Sequence, residues 1–173
     1  DPAWYDLALP IHVLQGGPPA ARALLAKALE SPDADFRAAA VVAVARSGKE
    51  QTARWLLDEL RDERLRGNER GEFLLGAVET PATRAFGYSW LRAHLDTVLD
   101  GAVGVFFAAR TPQMLGGFCS VEEAETIGRD LRPRFAGKPA ELELERAIER
   151  VRNCGVLRAA RKAEVTEAVM RLN

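Results

Sequence analysis

Cysteine, histidine, methionine and tyrosine occur only twice each in the 173 residues. A catalytic zinc takes three protein ligands and a structural zinc takes four. His12 and His94 have no H-E-x-x-H helix around them and no second histidine near either, so a histidine-based zinc site has too few donors. Long apolar runs are also missing. Nothing approaches the roughly 18 residues of a membrane span, which removes the bilayer as an expected partner. Charge of one sign is missing too. Lys and Arg total 24 against 25 Asp and Glu, a formal net charge of -1, so no cationic excess draws the chain to phosphate backbones and nucleic acid is not an expected partner. Walker, G-x-G-x-x-G and G-x-S-x-G elements are absent, which leaves nucleotide and acyl-transfer chemistry without a signature. At its start, Asp1-Pro2-Ala3-Trp4 lacks an initiator Met, a basic n-region and an apolar signal core, and this suggests an excised segment or a processed chain.

What remains is a composition 47% hydrophobic and 28% charged, enough for an ordinary core under a solvated surface. Ala, Leu, Arg and Glu dominate, while β-branched runs and period-2 alternation are scarce. Pro and Gly stand mostly between apolar-periodic stretches, at Gly16-Gly17-Pro18-Pro19, Ser31-Pro32, Gly48, Gly67, Thr80-Pro81, Pro112, Gly116-Gly117 and Gly137 to Pro139. The first of these reads as a turn before a helix that opens on proline. The chain is thereby cut into helix-length segments, with no convincing strand.

Phe36, Ala40, Ala43 and Val44 share one helical face in the segment from Asp33 to Gly48, and Ala53, Leu56, Leu57 and Leu60 share another. Phe86, Trp90, Leu91, Leu95, Val98 and Leu99 form a stripe after Thr80-Pro81, which reads as an N-cap with proline at N1. Ser120-Val121-Glu122-Glu123 has the form of a capping box ahead of Ala124, Ile127, Leu131 and Phe135. Leu144, Ile148 and Val151 mark the next helix, and Val165, Val169 and Leu172 a final one. Short helices joined by tight turns bury such stripes as stacked antiparallel pairs. The expected fold is therefore all-α, an irregular HEAT/armadillo-like α-solenoid of antiparallel helix pairs, forming one helical repeat domain over residues 1–173. The stretch Asp33 to Ala40 carries the Asp, Arg and Ala pattern of a HEAT helix.

Charged clusters have ordinary readings. Glu122-Glu123 and Glu141, Glu143 and Glu145 lie beside helix starts, where they complement the dipole or face solvent. Arg61-Asp62-Glu63-Arg64, with Arg66, Glu69 and Arg70, reads as a solvated, ion-paired helix end. Arg146, Arg150 and Arg152 are expected to pair within the helix that carries Glu145 and Glu149. His94, between Trp90 and Val98, reads as a hydrogen-bonded core or boundary histidine.

The two cysteines are expected to lie close together. Cys119 precedes the Ser120 box, and Cys154 closes the helix that begins near Pro139; if the two helices pack antiparallel, both cysteines fall at one end of the pair. They would then form either a disulfide or two buried free thiols. A bridge would favour an exported, periplasmic parent over a cytoplasmic one.

Several stretches in one order carry a resemblance: Ala45-Arg46-Ser47-Gly48-Lys49-Glu50 running to Arg54-Trp55-Leu56-Leu57-Asp58-Glu59-Leu60; Tyr88 to Asp96; Gly117-Phe118-Cys119-Ser120-Val121-Glu122-Glu123-Ala124; and Leu144-Glu145-Arg146-Ala147-Ile148-Glu149-Arg150-Val151-Arg152-Asn153. Together they resemble the C-terminal domain of the zinc aminopeptidases that include the puromycin-sensitive, alanyl and endoplasmic reticulum enzymes. The resemblance runs from about Phe36 to Asn153, and residues 1–32 resemble the family only loosely. Cys154-Gly155-Val156-Leu157 departs from it, standing where an aromatic residue often follows the Asn. The resemblance implies a bowl of HEAT-like helices that caps a separate catalytic domain of the same parent chain and walls the chamber holding a peptide substrate. The zinc, and the removal of N-terminal residues, would belong to that catalytic part; this segment would hold no cofactor, no metal and no catalytic residue. The family's repeat turn at the chamber's border implies that Arg46 meets a peptide carboxylate, against the plainer reading that it complements a helix C-terminus. The alternative function is a free-standing HEAT-like adaptor that binds a partner protein, and the missing initiator Met favours the aminopeptidase segment.

Overall fold

The computed structural model describes residues 2–100 and 110–171. It is all-α, and no strand occurs among the described residues. The chain forms two compact units, residues 1–107 and 108–173.

The first unit contains α1 (Tyr5–Glu30), α2 (Ala34–Ala45), α3 (Glu50–Asp58), α4 (Gly67–Glu79), α5 (Arg84–Ala93) and α6 (Leu95–Asp100). α1 is two arms rather than one rod. Gly17 sits at φ 62°, ψ -154°, a conformation that L side chains avoid, and Pro18-Pro19 open the second arm with their φ already helical. The chain folds back at this point. Tyr5, at the start of α1, donates to the Asp33 carboxylate beyond its end at 3.1 Å and meets the Phe36 ring edge-on with centroids 5.5 Å apart. The loosely resembling N-terminal segment is thus part of the core. Val13, Ala21, Leu24, Leu25 and Ala28 of α1 are buried in one cluster with Ala40, Val41 and Val44 of α2.

Asp33 caps α2, its carboxylate accepting from the Asp35 and Phe36 amides at 3.0 Å each. The Phe36 amide first, and then Tyr5 and the Asp35 amide, hold the Asp33 pKa below its ordinary value. One turn on, Arg37 is buried and grips Glu69 of α4 with two hydrogen bonds, 2.6 Å from Nε and 2.8 Å from Nη2. Arg37 also donates to the Leu29 and Arg64 carbonyls, at 3.0 and 2.7 Å. Four parts of the unit meet at this one guanidinium. Burial by itself would raise the Glu69 pKa, but the Arg37 side chain and the Arg66 amide, 2.8 Å away, outweigh it and hold the carboxylate below its ordinary value.

Two expectations fail in this unit. Thr80 closes α4 as its C-cap and does not open the next helix. The chain needs another turn before α5 begins at Arg84, with the Thr83 hydroxyl donating to the Ala77 carbonyl at 3.0 Å. The stripe from Phe86 to Leu99 is not one helix either, because it breaks at His94 between α5 and α6.

The second unit contains α7 (Val121–Phe135) and α8 (Glu141–Met170), preceded by a short 3-10 turn at Leu115–Gly117. Ser120 caps α7 through the Glu123 amide at 3.0 Å, and Glu123 reaches back to the Cys119 amide at 2.8 Å, one residue before the position a capping box uses. Ala124, Ile127, Leu131 and Phe135 are buried, as are Leu144, Ile148 and Val151 of α8. Arg132, late in α7, donates to Glu145, early in α8, at 2.7 and 2.8 Å, while Cys154 of α8 is bonded to Cys119 ahead of α7. The two helices are therefore antiparallel.

The separate final helix is not found. α8 runs unbroken for 30 residues, because Gly155 does not stop it. A Cβ there would lie 2.6 Å from the Ser120 Cα, so glycine serves close approach rather than a turn. Every described residue after Gly155 is exposed, Val165 and Val169 among them, and Leu172 lies outside the described residues. The pairing expected within α8 is found only in part. Arg146 bonds Glu143 at 2.7 Å, whereas Glu145 is committed to Arg132.

Candidate functional site

The residues singled out in the sequence do not converge. Arg46 is the C-cap of α2, half exposed, and its guanidinium donates to Glu79 at 3.2 Å. A peptide carboxylate at Arg46 would have to compete with that partner. His12 is exposed on the first arm of α1. Cys119 and Cys154 form a disulfide, their Cα atoms 4.9 Å apart, with Cys154 at the surface. Among the described residues no group of three or more His, Cys, Asp and Glu is placed to hold a metal ion.

A cleft of about 360 Å³ does form in the first unit, where the end of α3 and the turn after it face α4 and the broken α5–α6 segment. Its floor is apolar, made by the buried Leu57 and Leu74, and Trp90 and Val98 stand beside them. Arg61 and Arg70 also line it. Local chemistry explains how these two residues come to the same place. After α3 the chain tightens into a 3-10 turn, Glu59–Arg61, and then closes on Asp62. The Asp62 carboxylate accepts from the Arg64 amide at 2.9 Å and from its guanidinium at 2.6 Å, and the Arg64 side chain first among these causes brings its pKa to about 2. Leu65 is buried beneath that loop, and Glu69 then sits in the first turn of α4 with Arg70 next to it.

Arg70 donates from Nη2 to the Asp62 carbonyl at 2.9 Å, but its Nε is buried with no hydrogen-bond partner in the chain. Arg61 is exposed and makes no side-chain hydrogen bond among the described residues. Opposite them, the His94 ring stacks on Trp90 with centroids 4.2 Å apart and an interplanar angle of 18°. Its Nδ1 lies 2.9 Å from the Trp90 carbonyl. A carbonyl can only accept, so Nδ1 is the donor in this contact. His94 is a boundary residue at a helix break, exposed rather than buried.

The solvated helix end expected from Arg61 to Arg70 is only half right. Arg64 and Asp62 do pair at the surface, but Glu69 is buried and Arg70 is half-buried over the cleft. No spacing rule connects residues 61 and 70 with Trp90. The one available hint was the density of arginines on either side of a glycine.

Neither a protein-family model nor a curated protein matches this chain.

Proposed function

We propose that this chain is the non-catalytic C-terminal helical domain of a zinc aminopeptidase, where it caps the catalytic part and shapes the chamber that receives a peptide. The observation that carries the reading is the ordered resemblance, together with where its stretches fall. Arg46 to Gly48 forms the turn after α2, Tyr88 to Asp96 spans the helix break beside the cleft, Cys119-Ser120 opens α7, and Leu144 to Val151 forms the buried face of α8. These are junctions and packed faces, where residue identity matters most to a fold of stacked helices. Hydrolysis would be the work of the preceding part of the parent, with its own zinc. This segment would supply surface.

The test is the reading frame upstream of Asp1. An H-E-x-x-H helix in the same open frame is the expected result, and an independent start beside Asp1 with no such segment would overturn the proposal. One observation favours the alternative of a protein-binding adaptor. Leu7, Ile11 and Leu14, at helical spacing on the first arm of α1, are 44% to 63% exposed with Trp4 beside them, an apolar stripe of the kind that a partner covers. Under the first reading the parent's own preceding domains cover it.

A further inference from the structure

The disulfide of the second unit presents its two sulfurs unequally. Cys119 is half-buried ahead of α7, and the α8 backbone presses on its neighbour, so closely that a Cβ at Gly155 would stand 2.6 Å from the Ser120 Cα. Cys154 is exposed and borders a shallow depression with Arg146, Glu149, Arg150, Asn153 and Leu157. A thiolate arriving from solvent therefore meets the Cys154 sulfur, and exposed disulfides are among those that exchange readily. Charge selects what arrives. From Arg146 to Lys162, α8 carries six exposed cations, Arg146, Arg150, Arg152, Arg158, Arg161 and Lys162, against one anion, Glu149. Arg146 and Arg161 are paired with Glu143 and Glu164. Arg150 and Arg158, one helical turn before and after Cys154 on the same face, make no side-chain hydrogen bond among the described residues. The Arg150 guanidinium also lies over the turn that leads to Cys119, since a Cβ at Gly116 would be 3.9 Å from its Nη1. On the facing element, the Glu123 carboxylate accepts from the Cys119 amide at 2.8 Å. Cationic charge thus gathers at the exposed sulfur and anionic charge at the covered one.

We propose that Cys154 is a thiolation site for a small carboxylate-bearing thiol of the glutathione class, whose carboxylates are received by Arg150 and Arg158. The incoming thiolate bonds to the Cys154 Sγ as the Cys154–Cys119 bond breaks, and the electron pair leaves on Cys119. The Glu123 carboxylate disfavours a second anion there, and the Cys119 sulfur takes a proton from water. The product is a mixed disulfide at Cys154 and a free thiol at Cys119. A second ligand thiolate then attacks the ligand's sulfur, departs with it as the ligand's own disulfide and frees Cys154, which takes up a proton; two electrons have passed from two ligand thiols to the protein disulfide. Attack by Cys119 on the mixed disulfide instead releases the ligand and restores the bridge. Opening the bridge removes the covalent link between the start of α7 and α8 and leaves the Arg132–Glu145 contact near the other end. The proposal rests on α8 and its disulfide and is independent of the aminopeptidase reading.

The experiment treats the whole disulfide-bonded chain with 3-mercaptopropionate, 2-mercaptoethanol and cysteamine, which are anionic, neutral and cationic thiols of similar size, and with glutathione, and follows opening of the bridge by mass after an acid quench. Each thiol's rate on the chain is divided by its rate on the double variant Arg150→Gln, Arg158→Gln, so that the thiol's own reactivity cancels. The ratio is expected to be about threefold or more for 3-mercaptopropionate and glutathione, near one for 2-mercaptoethanol and below one for cysteamine, as steering by local charge requires. Molar salt should bring every ratio toward one, and should slow the anionic thiols on the native chain itself, a reading that needs no variant. Peptide mapping of the quenched mixed disulfide should place the ligand on Cys154. Equal ratios for thiols of all three charges, a ligand mapped to Cys119, or a bridge that millimolar glutathione leaves closed for hours would overturn the proposal.

Discussion

The two units solve the same problem, stacking short amphipathic helices, with different fasteners. The first holds α1, α2, the loop after α3 and α4 together at one buried guanidinium, Arg37, paired with Glu69 and two carbonyls. The second closes its antiparallel pair α7–α8 covalently, Cys119 to Cys154, with Arg132 and Glu145 as an exposed ion pair near the opposite end. The contrast follows from core size. A unit with many buried faces can bury an ion pair in which every guanidinium nitrogen has a partner, while a smaller unit has less core and gains more from a cross-link. An exposed pair such as Arg132–Glu145 contributes at most about 1 kcal/mol, so the covalent link carries the difference.

This contrast is open to direct attack, because all three tryptophans, Trp4, Trp55 and Trp90, belong to the first unit. Tryptophan fluorescence therefore follows one unit, while helical circular dichroism follows both. Arg37→Met leaves Glu69 buried and unpaired, and should destabilise the fluorescence-detected transition in urea by about 3 to 5 kcal/mol. A loss under about 1 kcal/mol would mean that the pair is incidental. Replacing both cysteines by serine should cost about 3 to 4 kcal/mol in the chain-entropy model, for a bridge that spans 35 positions. That loss should show in dichroism and leave the fluorescence midpoint in place. If the fluorescence midpoint moved as far, the division of labour between the units would be wrong.

The Glu69 carboxylate gives a pH handle on the first unit alone. Its folded pKa is depressed, so its contribution is fully present above the unfolded value of about 4.5 and is lost as pH falls through the lower folded value. Acid titration by fluorescence should show this loss, and Glu69→Gln should flatten it. An unchanged acid limb in the variant would assign the pH dependence to other carboxylates. The smallest effect concerns the second unit. Ser120→Ala removes the cap of α7 and should cost about 1 kcal/mol, read by dichroism in the disulfide-bonded protein.

Local chemistry was legible in the sequence to the extent that it is local. Ser120 and the turn at Gly17 act through bonds a few residues long, and the faces built on Ala124 and Leu144 follow from helical period alone. Thr80-Pro81 misleads because a cap-and-proline signature describes a possible helix start, and here the chain uses Thr80 to finish α4 while Thr83 bonds back to Ala77. Gly155 misleads in the opposite direction, since a glycine near an expected helix end is also the residue that lets two backbones touch. The cleft was beyond reach for a different reason. Arg61, Arg70 and Trp90 meet only through the packing of α3, α4 and the α5–α6 break, and no interval between them carries that information.

The proposed aminopeptidase reading is checked by assaying the product of the longest open frame that includes this chain for release of N-terminal residues from a peptide, before and after treatment with a chelator. Under that reading, release stops on chelation and returns with added zinc, with none from the 173 residues alone. Release unaffected by chelation, or absent from that product with zinc present, would contradict it.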